Sequence, residues 1–77
     1  MQRTWLKERR VRARLNCKDM ADKVGVSESY YYMLEAGDRQ QNMDMDTALR
    51  IAKALDTEWQ EIFREEIEYE RNRAHSA

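Results

Sequence analysis

Few side chains in this sequence are placed for covalent chemistry. Ser27 would need a histidine and an acid to act as a nucleophile. None stands at a matching place, so its nearer role is to cap a helix. Cys17 is the single cysteine. It is either a redox-sensing thiol near a helix start or a thiol merely tolerated there. No internal disulfide can form, and no Cys/His set has metal-ligand spacing. His75 has no visible partner. With no paired acid and base, no phosphate loop and little chain for a closed pocket, we expect no enzyme activity and no cofactor.

The remaining candidates suit non-covalent recognition. Glu28, Ser29, Tyr32 and Met33 recur at helical spacing on one face. Glu28 can accept from a cytosine amino group, and Met33 can touch a thymine methyl. The plainer reading of Glu28 is a favourable charge in the first turn of a helix. Tyr30, Tyr31 and Tyr32 resemble a stacking platform for single-stranded bases. Helical spacing points them apart, with Tyr31 inward, Tyr30 at the edge and Tyr32 outward.

The elements that must hold these groups are short helices. The first is expected over residues 4–13, with Thr4 as its cap and Leu6, Arg10 and Ala13 on one face. Asn16 caps a second helix, with Met20, Ala21 and Val24 inward, and Gly25 ends it. That helix is too short to be stable alone and must pack on a neighbour. Ser27 caps the third, which places Tyr31 and Leu34 on its inner face and stops at Gly37. A polar loop over residues 38–43 follows. Asp44 caps a fourth helix over 45–55, with Met45, Leu49, Ala52 and Leu55 inward. Thr57 and Gln60 suggest a capping box for a fifth, whose apolar face is Trp59, Ile62 and Phe63. Beyond residue 64 the chain reads as a charged helical extension that frays towards His75.

The chain has 77 residues, enough for one small domain with marginal burial. We divide it into a domain over 1–64 and an extension over 65–77. No stretch has the signature of a signal peptide or a membrane span, and a lone thiol fits a reducing compartment, so a cytoplasmic location is expected. Net charge is -1, unhelpful for binding phosphate, but its distribution is uneven. Residues 1–41 carry nine Lys/Arg and six Asp/Glu, residues 42–77 five and nine, so +3 and -4 sum to -1. The basic run is Arg3, Lys7, Arg9, Arg10, Arg12 and Arg14.

A capped helix, a glycine turn and a second capped helix make a helix-turn-helix, whose second member offers its outer face to the major groove. At this point the sequence resembles a family. Met20-Ala21, Gly25-Val26-Ser27 and Leu34-Glu35-Ala36-Gly37 match, in register, the helix-turn-helix regulators of the phage lambda repressor and Cro type. Residues 47–55 and 59–63 are similar to that family's fourth and fifth helices. The resemblance implies that the helix over 28–35 reads bases through Glu28, Ser29 and Met33, with Tyr32 and Ser27 close by. It implies that Asn16, Cys17 and Arg39 meet phosphate, and that Arg10 pairs with Glu35. A glycine is common in the family at the place of Arg14, which implies a positive φ there.

The expected fold is therefore all-α, a compact five-helix bundle containing the helix-turn-helix, with an extended C-terminal helix or tail. The expected function is a double-stranded DNA-binding transcription regulator, a repressor by preference, acting as a homodimer through the fifth helix at Trp59 and Ile62. The alternative is a protein-interaction module, antirepressor-like or antitoxin-like, motivated by the acidic C-terminal half and open to a regulatory protein partner.

Overall fold

The computed structural model describes residues 2–37 and 43–76. They form five helices and, among these residues, no strand: α1 (Thr4–Arg12), α2 (Cys17–Val24), α3 (Glu28–Ala36), α4 (Met45–Ala54) and α5 (Trp59–Ser76). The all-α five-helix fold follows the expectation. No described helix is long and apolar enough to cross a membrane.

Caps and glycines set most of the boundaries. Asn16 Oδ1 accepts from the Asp19 N–H at 2.7 Å, Ser27 Oγ from the Tyr30 N–H at 3.1 Å, and Asp44 Oδ1 from the Thr47 N–H at 2.7 Å. Each satisfies a donor that the first turn leaves without an intrahelical partner. Gly25 has φ 87°, and its N–H and that of Val26 both return to the Ala21 carbonyl. A Cβ there would meet only Arg50 Nη1, at an ordinary 3.5 Å. The left-handed backbone, not lack of space, is what asks for glycine.

Two starts differ from the expectation. Thr4 does not cap α1: it is the first helical residue, after Arg3, and no side chain caps that end. The Arg3 carbonyl instead accepts from the N–H groups of Leu6 and Lys7. At α5 the Thr57 hydroxyl donates to the Glu61 carboxylate at 2.7 Å rather than boxing with Gln60. Arg14 does take the left-handed conformation, φ 60°, as the resemblance implied. A non-glycine residue there costs on the order of 1 kcal/mol.

The core gathers Leu6 of α1, Met20, Ala21 and Val24 of α2, Tyr31 of α3, Ala48, Ile51 and Ala52 of α4, and Ile62 of α5. Helix α4 packs on both α2 and α5; Ala52 faces inward and Leu55 packs at the edge of the core as expected, but the rest of the buried stripe differs. Thr47, Ala48, Ile51 and Ala52 face inward, whereas Met45 and Leu49 are exposed. The small pair Ala48 and Ala52, one turn apart, gives its neighbours room to approach. A second correction concerns Ile62. It is fully buried in this core and is not available as a subunit contact. Trp59, 46% exposed, stacks edge-on against Phe63 with ring centroids 5.1 Å apart. Helix α5 runs on through residue 64 without a break, and Tyr69 beyond it is buried.

These placements predict opposite outcomes for neighbouring residues. Ile62→Ala should lower unfolding free energy by about 2–5 kcal/mol, the range for truncating a buried aliphatic side chain. Met45→Ala on the exposed side should stay within about 0.5 kcal/mol. Urea melts of the two variants check this.

Candidate nucleic-acid interface

The three-residue turn Gly25-Val26-Ser27 joins α2 to α3, and α2 packs closely on both α3 and α4. This leaves one side of α3 uncovered. Glu28, Ser29 and Tyr32 are exposed there, Tyr32 to 64%, and Met33 and Ala36 are half-buried beside them. Tyr31 and Leu34 turn the other way and are fully buried. The three consecutive tyrosines therefore diverge, with Tyr30 half-buried between them. No stacking platform is formed.

Asn16 and Ser27, both exposed, stand at the starts of α2 and α3. Cys17 is half-buried at the first position of α2. Burial, with the Glu35 carboxylate behind it, raises the thiol pKa above its ordinary value. That favours the inert thiol over a reactive thiolate. Cys17 and Tyr32 share one small cleft with Lys7 of α1. Lys7, exposed, is the group at this surface that periodicity did not single out. Its place depends on how α1 crosses the pair, which no local pattern encodes. Arg39 lies outside the described residues.

Behind the cleft is a buried polar network. The Glu35 carboxylate, 8% exposed as a residue, receives Arg10 on both oxygens: Nε to Oε2 at 2.5 Å and Nη2 to Oε1 at 3.2 Å. The Tyr31 hydroxyl donates to the same carboxylate at 2.7 Å. Arg10 Nη1 also reaches the Leu15 carbonyl at 2.9 Å, next to the strained Arg14. The expected Arg10–Glu35 pair is thus present and structural. It joins the α1–α2 connection to α3. The bond to Glu35 raises the Arg10 pKa above its already high ordinary value.

Other arginines of the basic run are also engaged. Arg9 Nε meets Glu65 at 2.9 Å, and Arg9 Nη2 lies 3.7 Å from Glu61. Arg3, which the sequence shows only as part of the basic run, is fully buried and pairs with Glu66 at 2.8 Å. On α1 and the turn after it, Lys7, Arg12 and Arg14 remain exposed.

Comparison with protein families finds a match to the helix-turn-helix family over residues 6–62. No curated protein and no solved structure matches the chain.

The network predicts a dependence on alkaline pH. Burial first, then the hydrogen bond to Glu35, pushes the Tyr31 phenol far above its ordinary value near 10. The folded form keeps its proton where the unfolded form loses it. Stability is therefore complete below about pH 10 and falls above it, by about 1.4 kcal/mol per pH unit for one proton. Thermal melts between pH 8 and 11 should show this slope, and Tyr31→Phe should flatten it.

Proposed function

Because the chain belongs to the helix-turn-helix family of lambda repressor and Cro-type DNA-binding regulators, we propose that it is a sequence-specific, double-stranded DNA-binding transcription regulator that enters the major groove with α3. The observation that carries this is the uncovered face of α3. Glu28, Ser29 and Tyr32 project from it, Met33 flanks it, and Tyr31 and Leu34 anchor its back. Asn16 and Cys17 at the start of α2, with Ser27, lie where the backbone of a duplex would pass. Lys7 joins them as a phosphate contact, supplying charge that Cys17 lacks, and Arg39 serves on the segment after α3. Repression follows from occupancy of an operator, and the expected site of action is the cytoplasm.

The protein acts as a homodimer on a palindromic site, with half-sites about one helical turn apart. Since Ile62 is in the core, the contact surface lies on the outer faces of α4 and α5. Trp59 and Ile67 are exposed there, with Met45 and Leu49 nearby. Four of the six large exposed apolar side chains among the described residues belong to α4 and α5, and Met45 and Ile67 line one shared groove.

The protein-interaction reading drew its support from the acidic C-terminal half. Glu61, Glu65 and Glu66 of that half are engaged by Arg9 and Arg3, so less of this acidity is free for a partner.

Selection of duplexes from a random library, read against salt, tests the proposal. Changing a base-reading side chain should cost about 1–3 kcal/mol and alter preference at one base position. Glu28→Gln should shift the preferred base if Glu28 reads one, and should mainly raise affinity if it only repels phosphate. Lys7→Ala should weaken binding to all sequences alike and lower the salt slope by about one. A library in which changes to Glu28, Ser29, Tyr32 and Met33 leave the chosen sequence untouched removes α3 from the groove. A solution mass that stays monomeric on a palindromic duplex removes the dimer.

A further inference from the structure

The last turn of a helix leaves carbonyls without intrahelical partners and carries partial negative charge. In α3 two of these carbonyls are taken by one residue. Arg3 Nη1 donates to the Leu34 carbonyl at 2.7 Å, and the Arg3 backbone N–H donates to the Glu35 carbonyl at 2.9 Å. The rest of the guanidinium turns to α5. Nε and Nη2 fork onto the two Glu66 oxygens at 2.9 and 2.8 Å, and the group lies 4.6 Å from the centroid of the Tyr69 ring. Arg3 is wholly excluded from solvent, and Tyr69 nearly so. Burial works against the charge, yet the bond to Glu66 prevails and raises the pKa of Arg3. Only a planar fork can meet a carboxylate with two donors, a carbonyl with a third and a ring with its face.

Arg3, Glu66 and Tyr69 all lie outside residues 6–62, the part matched by the family. They nevertheless hold the end of α3. The Glu35 side chain gives α3 one fastening, to Arg10 on α1. The turn from α2 and the buried Tyr31 and Leu34 hold the start and back of α3, but non-directional apolar contacts do not by themselves fix the tilt of its C-terminal end. Arg3 supplies a second fastening, through backbone carbonyls, and ties it to α5. A change in the tilt of this nine-residue helix re-aims the side chains of its outer face, Glu28, Ser29, Tyr32 and Met33, together.

We propose that Arg3, held by Glu66 and Tyr69, is a positioning residue that fixes the tilt of α3 and so the depth at which its outer face meets base edges. This rests on the reading that α3 enters the major groove. Base hydrogen bonds fail with displacements of well under 1 Å, whereas contacts to phosphate tolerate them. The clasp should therefore govern specificity more than overall affinity.

The test uses the full chain, a duplex selected from a random library by the parent protein, and an unrelated duplex of equal length. Arg3→Lys keeps the charge and loses the fork. Glu66→Gln keeps the shape and loses the charge. Each is measured below the onset of its own thermal unfolding, as followed by circular dichroism. Affinity for the selected duplex should fall about tenfold or more, within the usual range for coupling between sites, while affinity for the unrelated duplex stays within about twofold. Base preferences in a repeated selection should flatten. Loss of stability alone would not change the ratio of the two affinities per folded molecule. If both variants fold and keep that ratio, the proposal is overturned. If neither folds where the parent does, Arg3 is a folding requirement and the positioning role is rejected. A parent that selects no sequence at all removes the groove reading first, and this proposal with it.

Discussion

The structure turns on a carboxylate taken out of water. Glu35 sits on the inner side of α3, and an ionised group buried there is tolerable only if its lone pairs are filled. Arg10 and Tyr31 fill them. This single requirement orders much else. It fixes α1 against α3, since Arg10 must arrive from α1. It holds the α1–α2 connection, because the same guanidinium binds the Leu15 carbonyl beside the left-handed Arg14. It also decides which way the three tyrosines face. With Tyr31 committed to Glu35, Tyr32 is carried outward one step along the helix, onto the exposed side with Glu28 and Ser29.

A consequence reaches the electrostatics. The chain begins basic and ends acidic, and folding brings the two ends together. Arg3 meets Glu66, and Arg9 meets Glu61 and Glu65. The asymmetry that looks like a DNA-facing patch opposed to an acidic tail is in good part a set of internal pairs. Of these, Arg3–Glu66 and Arg10–Glu35 are buried enough to matter for stability when broken. Arg9 is partly exposed to solvent, and its pairs add little.

What was legible in the sequence and what was not divide along physical lines. Asn16, Ser27 and Asp44 cap because a short polar side chain before a helix has a local partner three residues on. Gly25 and Gly37 end helices because their backbone must turn left-handed. Both signals lie within a few residues of the effect, and both were readable. The Arg10–Glu35 pair was readable through the resemblance together with the places of both residues on inward faces. Arg3 was not readable, because its burial depends on Leu34, Glu66 and Tyr69, which are remote in sequence. A basic residue near a chain start looks like any solvated charge until those partners converge. Part of the inner stripe of α4 was misplaced for a related reason. Periodicity fixes the width of an apolar face, but packing on two neighbours, α2 and α5, chose Ala48 and Ile51 over Met45 and Leu49. Ile62 was placed at a surface because a helix late in the chain offers no local sign of what covers it.

The two roles of arginine in this molecule compete, and that competition shapes how it can recognise DNA. A protein that gains affinity from phosphate needs cations free to displace counterions, and each such contact steepens the dependence on salt. Here Arg3, Arg9 and Arg10 are committed to carboxylates; among the described residues, Lys7 beside the start of α2 and the face of α3, and Lys18 in the first turn of α2, stay exposed. Glu28, on the exposed face of α3 proposed to read bases, adds a charge that phosphate repels. On the proposed reading of α3, discrimination comes chiefly from how well a few uncharged or acidic side chains fit base edges, and that fit depends on where α3 is held. The arginines withheld from phosphate are two of the groups that hold it: Arg10 through the Glu35 carboxylate and Arg3 through the last carbonyls of the helix. On that reading, charge that could have bound any duplex is used instead to fix the helix that chooses among them.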